Sequence, residues 1–92
     1  MGYKELANAI IISAVEDIRR YYKRVDAIEN IKAAEADTER KSQKYWYYIH
    51  IERHYKSAMG FFRSEWYRQL TDVDAEYILK RLERGTNGNN NV

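Results

Sequence analysis

The chain has 92 residues, of which 45% are hydrophobic, and 16 Lys and Arg against 14 Asp and Glu give it a net charge of +2. That length supplies one hydrophobic core, and the lack of cysteine excludes disulfides, thiol nucleophiles and cysteine-based zinc sites. So small a net charge gives no argument for nucleic-acid binding. The positive excess lies in the middle, where residues 37–70 carry seven Lys and Arg against four Asp and Glu.

The N-terminal residues predict neither export nor insertion into a membrane. Charged residues interrupt the apolar ones, which a signal peptide does not tolerate in its centre. The longest apolar run, Ala9 to Ile12, is far shorter than a membrane span. Leu6 stands where a myristoylation motif requires Ser or Thr. We therefore expect a cytoplasmic protein with no membrane partner.

The first predicted helix runs from about Tyr3 to at least Arg24. Apolar residues recur there every three or four positions, which is the spacing of one helix face. A second apolar row widens this face beyond what one partner helix covers, so we expect contact from two sides. The first row is Tyr3, Leu6, Ile10, Ala14, Ile18, Tyr21, Val25 and Ile28, and the second is Ile11, Ile12, Val15 and Tyr22.

The second predicted helix covers about Thr38 to Leu70, with Asp37 or Thr38 as its N-cap. We expect a kink near Gly60, because glycine costs about 1 kcal/mol in a helix relative to alanine. The segment YWYYIHI is also compatible with a strand, but its charged flanks favour a helix. The buried row is predicted to be Tyr48, Ile51, Tyr55, Ala58, Phe62 and Trp66, continued by Leu70.

Thr71 or Asp72 is predicted to cap a third helix that ends at Gly85, since glycine suits the position after a helix. The expected fold class is therefore all-α: one helical domain over residues 1–84, built as a small bundle of three main helices. The polar residues 85–92 are expected to form a flexible tail. Nine Tyr, two Trp and two Phe are many for so small a core, which favours a homo-oligomer.

The sequence contains no catalytic or cofactor-binding motif. His50 and His54 are four residues apart, a spacing that can hold a metal, but the sequence offers no obvious third ligand and we interpret both as surface histidines. The four glycines are scattered and form no phosphate-binding loop. We therefore predict a protein that is not an enzyme and that requires no metal or cofactor.

Arg63 and Ser64 lie within an aromatic cluster and are the leading candidates for a binding site. A surface arginine stacked on its own helix is the simplest interpretation, since Tyr67 follows Arg63 by four residues. The alternative is a site in which Arg63 and Ser64 hold a phosphate while aromatic rings stack on a base. The rings would be Trp66, Tyr67 and Tyr47, and the further cations Arg53, Lys56 and Arg19. The aromatic residues at 45–48 form a patch of the kind that is more often a homo-oligomer interface than a ligand site.

The segment FFRSEWYRQLTDVDAEYILKRLE resembles a C-terminal signature of small helical proteins encoded by phages and prophages of Gram-positive bacteria, which reads FFRS-x-W-[FY]-x-x-L. The N-terminal AIIISAVEDIRR is similar to their opening helix, which is rich in Ala and Ile and carries an Asp followed closely by Arg. Ile18 stands where these proteins commonly have an aromatic residue. The matching positions are Asp17, Arg19, Phe62, Arg63, Ser64, Trp66, Leu70 and Asp74.

This resemblance implies a non-enzymatic phage protein that acts in the cytoplasm of the bacterial host. In size and in its aromatic and arginine residues the chain is similar in character to phage anti-defence proteins that sequester nucleotide immune signals. We therefore predict non-catalytic binding of a phosphorylated, cyclic nucleotide signal. One alternative is a protein–protein inhibitor or adaptor that docks an aromatic helix face on a host enzyme. The other, a small DNA-binding regulator, is disfavoured by the net charge.

Overall fold

The computed structural model describes residues 3–89, with side chains described for residues 4–85, and this part of the chain is helical without any strand. The all-α fold class is thereby confirmed, and YWYYIHI lies inside a helix. Residues 3–89 form four helices in place of the three expected. They are α1, Tyr3–Ala34; α2, Gln43–Phe62; α3, Glu65–Leu70; and α4, Ala75–Asn89.

Helices α1 and α2 form a long antiparallel pair, called here the α1–α2 hairpin. The rings of Tyr21 and Tyr55 stack with centroids 3.9 Å apart. Lys32, later in α1, pairs at 3.0 Å with Glu52, which is earlier in α2, so the two helices run in opposite directions. Tyr22 also lies at this interface, where burial and the neighbouring Tyr55 raise its pKa to about 12.

The main core lies where α1, α2, α3 and α4 converge. Ile18 is completely buried, and the predicted contact of α1 from two sides is confirmed, since α2 and α4 both pack against it. Two apolar residues of α1 are instead half exposed, Leu6 at 51% and Ile12 at 55%. The buried cluster consists of Ala14, Ile18, Ala58, Phe62, Tyr67, Leu79 and Leu82.

Polar contacts fix the connection between α1 and α2. Ser42 is the N-cap of α2, and its hydroxyl accepts a hydrogen bond from the Tyr45 N–H at 3.1 Å. The Glu35 carboxylate accepts hydrogen bonds from the Ser42 hydroxyl at 2.6 Å and its N–H at 2.7 Å, and these bonds lower the pKa of Glu35. The N-cap predicted at Asp37 or Thr38 is therefore wrong, because Ser42 is the residue whose hydroxyl is held in capping position.

The second predicted helix is in fact two helices, and the break is not at Gly60. Gly60 lies inside α2, whereas Ser64 has the extended backbone conformation φ −88°, ψ 159° and separates α2 from α3. The predicted helix end at Gly85 is also wrong, since α4 continues to Asn89. Residues 90–92 of the predicted flexible tail lie outside the described residues, and its flexibility stays a prediction.

The molecule is elongated. Its radius of gyration is 15.6 Å, against about 12 Å expected for a compact domain of this length. The α1–α2 hairpin causes this shape, because α1 alone has 32 residues and a helix of that length extends for about 48 Å.

Candidate functional site

The Ser64 side chain forms hydrogen bonds with the backbone in this structure. Its hydroxyl accepts a hydrogen bond from the Tyr67 N–H at 3.2 Å and donates one to the Phe61 carbonyl at 2.6 Å. A hydroxyl has one proton to donate, and the Phe61 carbonyl already receives it. Ser64 would have to break that bond in order to donate to a phosphate, so its position favours a capping role over the predicted ligand contact.

Replacing Ser64 with alanine is expected to lower the free energy of unfolding by about 1 kcal/mol, the typical loss for an N-cap. Ser64→Thr is the matched control, since threonine is also a favoured N-cap and keeps a hydroxyl that can donate to the Phe61 carbonyl, so it should retain most of the stability. Urea denaturation followed by circular dichroism measures both values. Equal stability of Ser64→Ala and the original protein would show that the cap contributes nothing.

The solvent exposure of Trp66 and Tyr67 differs from what the predicted buried row implies. Trp66, predicted both for the buried row and as a ring that stacks on a base, is 54% exposed, whereas Tyr67, predicted to stack on a base, is 2% exposed. The Tyr67 hydroxyl donates to the Val73 carbonyl at 2.8 Å, and burial, with a smaller effect from Asp74, raises its pKa. The break at Ser64 causes this difference, because residues at helical spacing stay on one side only while the helix is continuous.

Arg63 is exposed and lies at an open groove of about 410 Å³ beside the start of α4. Arg68 lines the same groove, but so do three carboxylates, of Asp72, Asp74 and Glu76. These acids oppose the binding of an anion there. Ser64 and Trp66 are not among the residues that line this groove, whereas Arg63 and Tyr67 are, so the predicted phosphate and base contacts do not come together in it.

The predicted contributors from earlier in α2 lie elsewhere. Tyr47 is 53% exposed, and its ring packs edge-on against Tyr48. It precedes Arg63 by 16 residues, which along a helix is about 24 Å. The Arg53 guanidinium lies over the Trp46 ring at 5.9 Å, and Lys56 is exposed. Tyr47 and Arg53 are therefore separated from Arg63 by about 24 and 15 Å along the helix.

Arg19, the remaining candidate, lies in a different groove with two residues that the sequence analysis missed. This α1–α4 groove has a volume of about 440 Å³. Arg81 lies over the Tyr77 ring at 5.7 Å and donates to the Tyr77 hydroxyl at 3.4 Å. Tyr77 itself is 57% exposed. The lining residues are Val15, Arg19, Tyr77, Ile78, Arg81, Leu82 and Gly85, and none of them is acidic.

The two histidines are neighbours but do not complete a metal site. Their ring centroids are 4.2 Å apart, and His54 Nδ1 lies 3.8 Å from the Asp17 carboxylate. Among the side chains that the structure describes, no group of three or more His, Cys, Asp or Glu residues could hold a metal ion.

Comparisons with protein-family models, curated proteins and solved structures find no match to this chain. Among the residues described, no helix has the length and apolar character needed to cross a membrane. Any functional assignment therefore depends on the chemistry of the α1–α4 groove and of the exposed surfaces.

Proposed function

We propose that the protein binds a phosphorylated nucleotide in the α1–α4 groove without catalysing a reaction. One observation carries the proposal: two arginines, Arg19 and Arg81, line an apolar groove together with the exposed ring of Tyr77, and none of the described residues that line it carries a carboxylate. The groove thus offers cations for a phosphate and a ring for a base. The groove beside Arg63 does not combine these features, because three acids line it.

The arginines are suited to hold the phosphate. A guanidinium is permanently charged and forms paired hydrogen bonds with phosphate oxygens. The contact with Tyr77 holds Arg81 over the ring before any ligand arrives. Holding a side chain in position beforehand reduces the conformational entropy lost on binding.

The remaining lining residues are suited to the base. A base stacked on an aromatic side chain gains about 1–3 kcal/mol, and more than half of the Tyr77 surface is accessible. Val15, Ile78 and Leu82 supply apolar contacts. The volume of the groove falls within the range of about 300–1,000 Å³ that small-molecule sites occupy.

Sequestration of an immune signal is the biological role that we propose for this binding. The resemblance to small phage proteins makes cyclic nucleotides the first ligands to test, in the cytoplasm of a bacterial host. A protein that sequesters a signal has to bind the signal without converting it. Among the described residues that line the groove there is no Ser, Cys, His, Asp or Glu, so Tyr77 is the one described side chain there that could act as nucleophile or general base. This lining favours binding over turnover.

Thermal-shift assays and titration calorimetry with cyclic di- and trinucleotides and ADP-ribose derivatives test the proposal. We expect at least one of them to bind, and Arg81→Ala to weaken that binding about 10- to 100-fold, the loss of a charged hydrogen bond. Arg63→Ala is the matched control, since Arg63 is also exposed but lies beside carboxylates.

Two outcomes would contradict this function. The first is that no nucleotide raises the melting temperature or releases heat on titration. The second is that Arg63→Ala abolishes binding while Arg81→Ala retains it, which would place the ligand in the other groove.

The protein–protein alternative is favoured by a different observation, the half-exposed rings of Trp46 and Trp66. Exposed tryptophans are enriched at protein interfaces. One host enzyme retained in stoichiometric amount, inhibited by the purified protein and released by Trp46→Ala, would support it over nucleotide binding.

A further inference from the structure

The α1–α2 hairpin has a second face, opposite the α1–α4 groove. Val15 and Arg19 line that groove, and Asp17 lies two residues from each of them. Since successive helical residues are rotated by about 100°, Asp17 is on nearly the opposite side of α1 from both. Its carboxylate lies 3.8 Å from His54 Nδ1 of α2. These two residues therefore mark a face of the hairpin that lies away from α4.

Two rows of residues extend this face along both helices. Residues spaced by four, seven or fourteen positions share one side of a helix. The α1 row is Leu6, Ile10 and Asp17, the α2 row is Tyr47, His54 and Phe61, and together they are called here the open face. The Trp66 ring adjoins it, packing edge-on against Phe61 with centroids 5.5 Å apart.

Large apolar side chains on the open face, or directly beside it, are exposed at both of its ends. Leu6 and Trp66 are 51% and 54% exposed near one end, and Tyr47 is 53% exposed near the other. Between them lie charges of both signs, since Asp17 pairs with Arg20 at 3.4 Å. In a two-fold contact the Asp17 residues of two copies would lie near each other at the centre. Each is already paired with Arg20 of its own chain, and this pairing reduces the repulsion between them.

The chain also exposes more surface than a compact monomer of its size. Its accessible surface is 7038 Å², whereas a folded monomer of 11.1 kDa is expected to expose about 5,700 Å². The excess of roughly 1,400 Å² exceeds the ~800 Å² that each partner contributes to a standard interface. The chain as a whole therefore has enough exposed surface to contribute a standard interface to a second copy.

We propose that the open face is the interface of a homodimer. Tyr47 and Phe61 lie seven residues before and after His54, at equal distances along α2. A two-fold axis that crosses the interface at the level of His54 places Tyr47 of one chain against Phe61 of the other. The α1–α4 groove faces away from this contact, so each protomer keeps its own groove accessible.

Multi-angle light scattering after size-exclusion chromatography tests the interface. The original protein is expected at twice its chain mass of 11.1 kDa, and Leu6→Asp at a single chain mass, because a buried unpaired carboxylate opposes association. Ile12→Asp is the matched control. Ile12 lies on the same helix and is 55% exposed, but it is outside the open face, so this variant should remain dimeric.

A single chain mass for the original protein would overturn the proposal, and so would dissociation by Ile12→Asp while Leu6→Asp stays dimeric. Circular dichroism establishes whether Leu6→Asp is folded; if it is not, Tyr47→Asp replaces it and is expected to give the single chain mass. Retention of the dimer by a folded Tyr47→Asp would then exclude this face. The test does not depend on nucleotide binding, because no open-face residue lines the α1–α4 groove.

Discussion

Replacing Tyr67 with alanine is expected to lower the free energy of unfolding by about 3–5 kcal/mol, as for other large aromatic side chains removed from a core. The ring is 2% exposed and packs against Phe61 and Phe62, with centroid distances of 5.6 and 5.1 Å. A domain of this length has a total stability of about 5–14 kcal/mol. The loss is therefore a large part of the total, and denaturation by guanidinium followed by circular dichroism measures it.

Tyr67→Phe is the control that separates the ring from the hydroxyl. It retains the packed ring and removes the hydrogen bond to the Val73 carbonyl, so we expect a loss of about 1 kcal/mol. If Tyr67→Ala were as stable as the original protein, the ring would not be part of the core. It would then be available for the ligand contact that the sequence analysis considered.

The helical class and the burial of α1 on two sides could be predicted because both follow from the spacing of apolar residues. Apolar residues repeat every three or four positions over most of α1, and no proline or glycine interrupts its interior. Ala14, Ile18 and Ile28 of the predicted row are buried. Leu6 is exposed although its neighbour Ala7 is only 3% exposed. The other helices therefore reach this level of α1 but pack against a different side of it, and the apolar pattern alone does not show which side that is.

The break between α2 and α3 could not be predicted from periodicity. Serine occurs both in helix interiors and at N-caps, so the residue type alone does not show which position Ser64 occupies. The choice depends on interactions formed only in the fold. The Ser64 hydroxyl binds the Phe61 carbonyl, and the Tyr67 hydroxyl reaches the Val73 carbonyl in the next connection.

The α1–α4 groove was missed for a similar reason. Its residues are far apart in sequence, since Arg19 and Tyr77 are separated by 58 positions, and only tertiary packing brings α4 against α1. One feature of the local sequence did point to this groove. Tyr77 and Arg81 are four residues apart, as are Arg63 and Tyr67, and in the structure the arginine of the Tyr77–Arg81 pair lies over the tyrosine ring.

The proposed nucleotide site and the proposed dimer interface use opposite sides of α1. Val15 and Arg19 of α1 line the groove, Asp17 marks the open face, and Ile18 lies between these sides with 0% exposure. Packing at Ile18 therefore holds α1 in the rotation that presents both surfaces. Substitutions on either surface should leave the core intact, whereas a substitution at Ile18 should weaken the fold itself.

Ile18→Ala is accordingly expected to lower the free energy of unfolding by about 2–5 kcal/mol, the range for truncating a buried isoleucine to alanine. Part of this loss is the transfer energy of the removed carbon atoms, and the rest comes from the cavity left among tightly packed neighbours. Those neighbours include Ala14, Phe62 and Leu82 of the buried cluster.

Ile12→Ala tests the same chemical change on the same helix in a different environment. Ile12 is 55% exposed, and surface substitutions of this kind usually change stability by less than about 0.5 kcal/mol. Urea denaturation of both variants under identical conditions gives the comparison. Similar losses at positions 12 and 18 would mean that α1 is rotated differently from the structure, and the assignment of its groove side and its open side would then fail with it.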